Sequence, residues 1–146
     1  MEFEIFEKSR IPEAAELFAE SFNSPPWNDK WSADTAARRL ELMLDGEAAY
    51  GITAFENGEM CGMVLGCFEQ YYDGVVYNLR EFCVKNSKRG GGLGTKIFSE
   101  LESRLRQRGV KEITLNTLRG EATEGFYRRC GMDNADMAVM TKKLNK

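Results

Sequence analysis

The sequence predicts an α/β fold, a mixed sheet with helices on its faces, in the element order β-α-α-β-β-β-α-β-α-β. Three observations predict it. Segment 11–22 and the segment from Leu93 to Gly109 carry apolar stripes at helical spacing. Between and around them lie short runs rich in β-branched and aromatic residues, bounded by turn signals. Two of those runs meet at Asn57-Gly58, the strongest short-range hairpin signal in the chain.

Taken in order, residues 3–6 alternate and predict a first strand. Ile11, Ala14, Ala15, Phe18 and Phe22 form one helical stripe over 11–22, with Pro12 near its start. Ser24-Pro25-Pro26-Trp27 breaks the chain, because proline fixes φ and restricts the residue before it. Ser32 offers an N-cap for a helix over 33–45 that ends near Gly46. Strands follow at 48–56 and 59–68, and a turn near Asp73-Gly74 leads to an extended run from Val75 to Val84. After a glycine cluster comes the helix of Leu93, Ile97, Leu101 and Leu105, stopped at Gly109. Residues 111–116 read as a strand, 121–130 as a short helix and 136–144 as a last strand. Repeats and linkers are absent, so 1–146 is expected to be a single domain.

Composition narrows the function. A chain of 146 residues is long enough to remove roughly 70% of its unfolded surface from water. Its net charge of -3 gives no basic footprint, so no nucleic-acid partner is expected. No apolar run approaches the roughly 18 residues that span a bilayer, so no membrane partner is expected either. The N-terminus carries acidic residues where a signal peptide carries basic ones, which predicts a cytoplasmic location. Cys61, Cys67, Cys83 and Cys130 form no C-x-x-C pair and lie in apolar stretches, as reduced core thiols do. The chain has no histidine, which excludes a Ser-His-Asp triad, a Cys-His pair and a histidine-ligated metal. No metal cofactor is expected, and a general base must be a carboxylate, a lysine, a tyrosine or a water they hold.

The richest motif joins the Val84 strand to the following helix: Lys88-Arg89-Gly90-Gly91-Gly92-Leu93-Gly94-Thr95. Glycines let backbone N–H groups approach a ligand with no Cβ in the way. A helix start adds unsatisfied N–H donors and about half a positive charge. The combination suits a phosphate or pyrophosphate, and a plain flexible loop is the alternative. A Walker loop requires Gly-Lys followed by Ser or Thr, whereas the order here is Gly94-Thr95-Lys96. A dinucleotide fingerprint starting at Gly90 would need glycine at Thr95.

Arg89, Gly92 and Gly94 do meet R-x-x-G-x-G, which resembles the acetyl-CoA pyrophosphate loop of the GNAT superfamily of N-acetyltransferases. Phe126-Tyr127-Arg128-Arg129-Cys130-Gly131-Met132 is similar to that family's second landmark, with Met132 where phenylalanine is usual. Leu79-Arg80-Glu81-Phe82-Cys83-Val84 is similar to the strand of bacterial members with glutamate three residues before the valine. The resemblance spans nearly the whole chain. It implies a twisted, mostly antiparallel sheet flanked by four helices, acetyl-CoA as co-substrate, and a small-molecule amine or aminosugar as acceptor. Members often dimerise, so a homodimer is one expected assembly.

The resemblance also implies roles. The thioester would run along Phe82, Cys83 and Val84, where a backbone N–H would stabilise the oxyanion. Losing one such donor typically costs roughly 3 kcal/mol. Lys88 through Thr95 would hold the pyrophosphate, and Asn116 and Phe126 would complete the cofactor site. Tyr127 would place its hydroxyl by the leaving sulfur. A free tyrosine (pKa about 10) gives up a proton to a thiolate (about 8.5) only uphill, by roughly 2 kcal/mol, so a hydrogen bond is the expected role. Core packing is its alternative. Glu81 is the candidate base. Strict alternation groups it with Tyr77, Leu79 and Cys83, where desolvation raises a carboxylate pKa, unless a splayed strand disturbs that alternation. An ion pair with Arg80 or another arginine is its alternative. Trp27, Asp29 and Trp31 either attract and stack on a cationic acceptor or pack the fold, and Tyr72 is a weaker candidate for the same wall.

Overall fold

A computed structural model of the chain describes residues 1–145. These form two compact units, one from Met1 to Asn116 and a shorter one from Thr117 onward. The larger unit contains β1 (Glu2–Ile5), α1 (Ile11–Phe22), α2 (Ala33–Leu44), β2 (Ala49–Glu56), β3 (Glu59–Tyr71), β4 (Gly74–Val84), α3 (Leu93–Gln107) and β5 (Glu112–Leu115). The shorter unit contains α4 (Glu124–Arg129). The strands lie side by side in chain order; β1 through β4 pair antiparallel and β5 joins β4 in parallel. The predicted fold class, a mixed and mostly antiparallel sheet with four helices, is formed, with five strands among the described residues where six were expected.

Local chemistry explains most boundaries. Ser32 caps α2 through the Thr35 N–H at 3.0 Å, while Thr35 Oγ1 accepts from the Ser32 N–H at 2.9 Å, a reciprocal box that fixes the helix start. Asn57 and Gly58 take φ of 51° and 78°, the left-handed pair a tight I′ hairpin turn requires. The α1 stripe Ile11, Ala14, Ala15, Phe18 and Phe22 is buried with Ala36 and Leu40 of α2 against Met63, Leu65 and Cys83 of the sheet. On the other side, α3 buries Leu93, Ile97, Phe98, Leu101 and Leu105. Truncating a fully buried leucine such as Leu101 to alanine costs about 2–5 kcal/mol. All four cysteines are free thiols.

One irregularity shapes the site. Glu81 pairs with Leu65 and Leu79 with Gly66, so Arg80 is an extra residue on β4 facing a single step of β3. Directly opposed residues share a face and adjacent ones do not. Glu81 and Cys83 therefore lie on the α1–α2 face with Leu65 and Met63, whereas Leu79 and Tyr77 lie on the other. This corrects the strict alternation that groups all four. Gly66 belongs at this step because a Cβ there would meet the Asn78 carbonyl oxygen at 2.3 Å and the Tyr77 ring at 2.8 Å. The Tyr77 hydroxyl is anchored by donating to the Tyr50 carbonyl at 2.7 Å.

In the shorter unit α4 is briefer than the predicted 121–130 helix. Thr123 Oγ1 donates to the Leu118 carbonyl at 2.6 Å and holds the preceding residues in a turn. The Gly131 N–H reaches Arg128 O at 2.9 Å and the Met132 N–H reaches Tyr127 O at 3.0 Å, closing the helix C-terminus. The strand expected over 136–144 is not formed; these residues are irregular. A strand persists only where a neighbour completes its ladder, and none pairs with this segment. Its Met137, Val139, Met140 and Leu144 are exposed.

Candidate active site

The bulge puts a carboxylate where the sheet would otherwise continue its apolar face. The Glu81 side chain is 14% exposed, and Arg39 of α2 brings its Nε to 3.8 Å from Oε2. Burial is the largest influence and raises the Glu81 pKa to about 6; Arg39 and Arg80 pull it down, and the charge of Asp29 pushes it up again. The arginine partner that the ion-pair reading of Glu81 expects is Arg39. At 3.8 Å the pair is a long contact, beyond the range of a strong hydrogen bond.

Beside it β4 loses one neighbour. The ladder between β4 and β5 ends at Leu79 opposite Leu115, while β4 runs on to Val84, paired only with β3. The outer edge of residues 80–84 therefore presents backbone groups with no β5 partner. Phe82 stacks on Phe98 of α3 at 6.5 Å and Cys83 is buried in the opposite core. Burial pushes the Cys83 thiol well above its ordinary range, as it does Cys61 and Cys67 more modestly, so none is a ready nucleophile. Asn116 is exposed just past Leu115, where the strands part.

The glycine turn follows. Gly90 and Gly92 both take φ of 81°, and a Cβ built on either would meet nothing within 4 Å. Gly92 caps α3 in the left-handed conformation with no side-chain hydrogen bond, so the first-turn N–H groups of Leu93, Gly94 and Thr95 point outward uncapped. That cradle fits a pyrophosphate.

The basic residues of the turn are engaged elsewhere. Arg89 donates to Ser21 Oγ at 2.9 Å, to the Ser21 carbonyl at 3.2 Å and to the Pro25 carbonyl at 3.2 Å, and lies over the Trp27 ring at 5.5 Å. Lys88 pairs with Glu56 at 3.4 Å, and Lys85 pairs with Glu59. A phosphate held by this turn would meet backbone groups, while Arg89 ties the turn to the end of α1. Asn86 adds to that tie, donating to Ser24 Oγ at 3.0 Å.

The remaining sequence candidates separate. Trp27 packs edge-on to Phe22 at 4.9 Å and Trp31 edge-on to Phe18 at 4.8 Å, both half-buried. Trp31 Nε1 donates to Asp29 Oδ2 at 3.0 Å, which orients that exposed carboxylate. Tyr72 is fully exposed at the β3–β4 turn. Phe126 and Tyr127 are half-buried on α4 in the shorter unit, with ring centroids 5.1 Å apart.

Sequence reasoning passed over Arg39 and gave Arg80 only a pairing role, yet both line a pocket of about 250 Å³ with Leu42, Met43, Gly66 and Cys67. Arg39 was detectable as a charge set among Ala36, Leu40 and Met43 on the inward stripe of α2. The Arg80 bulge had no local signal.

Comparisons with known proteins show the family and the fold. Residues 11–132 match the model of the acetyltransferase (GNAT) family. An acetyltransferase of Pectobacterium atrosepticum is 26% identical over 145 residues, covering 99% of this chain and 96% of its own. The ribosomal-protein-alanine N-acetyltransferase structure from Brucella melitensis biovar Abortus has TM-score 0.79 at 18% identity, covering 99% of this chain and 100% of its own. An aminoglycoside acetyltransferase from a soil metagenomic sample, solved with sisomicin, has TM-score 0.74 at 14% identity, covering 99% and 96%. The chain belongs to the acetyltransferase (GNAT) family.

Proposed function

We propose that this acetyltransferase moves an acetyl group from acetyl-CoA to a primary amine of a small molecule or aminosugar by direct attack, within one N-acetyltransferase domain spanning the chain. The observation that carries the proposal is Glu81: a buried carboxylate of pKa about 6, set by the Arg80 bulge beside a strand edge that lacks a neighbour. Acetyl-CoA supplies the activated acyl group. The cradle of Gly90, Gly92 and the α3 N-terminus holds its pyrophosphate, and residues 82–84 offer backbone groups to its pantetheine arm.

Glu81 takes one proton from the acceptor ammonium, directly or through water. The freed nitrogen pair forms the C–N bond while the C–S bond breaks with its electrons left on sulfur. A second proton from nitrogen balances the thiolate, so the products are an amide and a free thiol. Near pH 7 a group of pKa about 6 is mostly ionised and can accept the proton, the condition for general-base assistance worth about 10²–10⁴ in rate. Tyr127 has the role of hydrogen-bond donor to the departing sulfur, by resemblance. Thiol release from acetyl-CoA across amines, aminosugars and peptides tests the reading. Release with small amines supports it; release with peptides alone makes the chain a protein acetyltransferase.

A further inference from the structure

Two arginines line the pocket between α2 and the sheet, and one of them touches Glu81. Arg39 and Arg80 line its wall, and Leu42, Met43 and Cys67 give it apolar sides. Arg39 also contacts Glu81 at 3.8 Å, and the Asp29 charge reaches the same carboxylate. Two guanidinium groups thus line the pocket, and Glu81 lies against one of them. Among the described residues no carboxylate oxygen lies within 4.0 Å of Arg80, and Arg39 has only the long contact to Glu81. A plain cationic amine brought to Glu81 from this pocket would face both arginines with like charge. A volume of about 250 Å³ falls below the roughly 300–1,000 Å³ of drug-sized pockets, which favours a compact acceptor.

We infer that the acceptor is a small zwitterionic amine, with its ammonium toward Glu81 and Asp29 and its own carboxylate or phosphate held by Arg39 and Arg80. Guanidinium is the side chain best suited to that oxyanion, since its planar fork pairs with carboxylate or phosphate through two parallel hydrogen bonds. Anchoring the anion in the pocket orients the amine toward the base and leaves the strand edge of residues 80–84 for the thioester. The inference rests on the acetyl-transfer reading of the site.

Matched pairs of acceptors test it on the full chain, by initial rates of thiol release from acetyl-CoA. The pairs are β-alanine with its amide and 2-aminoethyl phosphate with ethanolamine. At least one acceptor bearing an anionic group should exceed its cationic partner tenfold or more in kcat/KM, and the pair showing the larger ratio identifies the anion. Arg80→Gln should reduce that ratio at least fivefold, mainly through KM for the acceptor bearing the anionic group, and Arg80→Lys should restore part of it. Arg80 is exposed, so both variants should fold, as thermal unfolding will show. Thiol release with the plain cationic amines equal to or faster than with those bearing an anionic group overturns the inference and leaves the acetyl-transfer reading standing. A ratio unchanged in Arg80→Gln also overturns it. Absence of release with every amine, while acetyl-CoA still raises the melting temperature, overturns the transfer reading and this inference together.

Discussion

Leu79 and Glu81 stand two residues apart on β4 yet face opposite sides of the sheet, because Arg80 is inserted between them against a single step of β3. Without the bulge Glu81 would share a face with Tyr77, whose buried hydroxyl is already paired with Tyr50. With it, Glu81 reaches Arg39 and the pocket side of α2.

The first consequence concerns stability. The folded protein holds the Glu81 proton more tightly than the unfolded chain, with a pKa of about 6 against 4.5. The stabilisation from this group is full below pH 4.5 and is lost as pH rises through 6. The loss amounts to about 2 kcal/mol. Glu81→Gln should therefore be more stable than wild type at pH 8, with the advantage shrinking toward pH 4. Denaturant unfolding at the two pH values checks this; a constant difference would mean that Glu81 is not desolvated in the folded state.

The glycine cradle makes a binding prediction. Acetyl-CoA should raise the wild-type melting temperature by linkage, and Gly92→Glu should abolish that rise. Gly92→Ala is the control, since both substitutions carry the roughly 1–2 kcal/mol cost of a side chain at φ of 81° but only glutamate puts charge and bulk in the cradle. Equal ligand shifts in wild type and Gly92→Glu would remove the turn from the site.

Arg89 separates anchoring from phosphate contact. Its three hydrogen bonds to Ser21 and Pro25 predict that Arg89→Ala loses about 1–3 kcal/mol of stability without ligand. The dependence of acetyl-CoA affinity on salt should barely change. A clearly flatter salt dependence in the variant would show the guanidinium on a phosphate instead.

Much of this architecture was legible because local chemistry decides it. The Ser32 cap, the Asn57-Gly58 turn and the Leu93–Leu105 stripe each name their own conformation, and the structure follows them. The glycine turn read correctly as an open helix start, but the direction of Arg89 did not, since contacts 64 and 68 residues away decide it. The bulge escaped for the same reason: Arg80 is extra only by reference to β3, and period-two reasoning along one strand cannot register a slip in pairing. The segment 136–144 has a strand-like composition, yet strand formation depends on a partner that composition does not supply.

Tyr127 makes a kinetic prediction. Tyr127→Phe keeps the ring that packs on Phe126 and removes one hydroxyl, so folding and acetyl-CoA affinity should survive. kcat should fall at least tenfold if the hydroxyl assists thiolate departure. Unchanged turnover with a good acceptor would assign the residue to packing.

The pH profile of kcat/KM for wild type and Glu81→Gln tests the account most directly. Wild type should show an acidic limb with its midpoint near the Glu81 pKa of about 6. Glu81→Gln should bind acetyl-CoA as wild type does, lie roughly 10²–10⁴-fold lower in kcat/KM and lose that limb. A folded Glu81→Gln protein with near wild-type kcat/KM and the same acidic limb would contradict the assignment of Glu81 as the base.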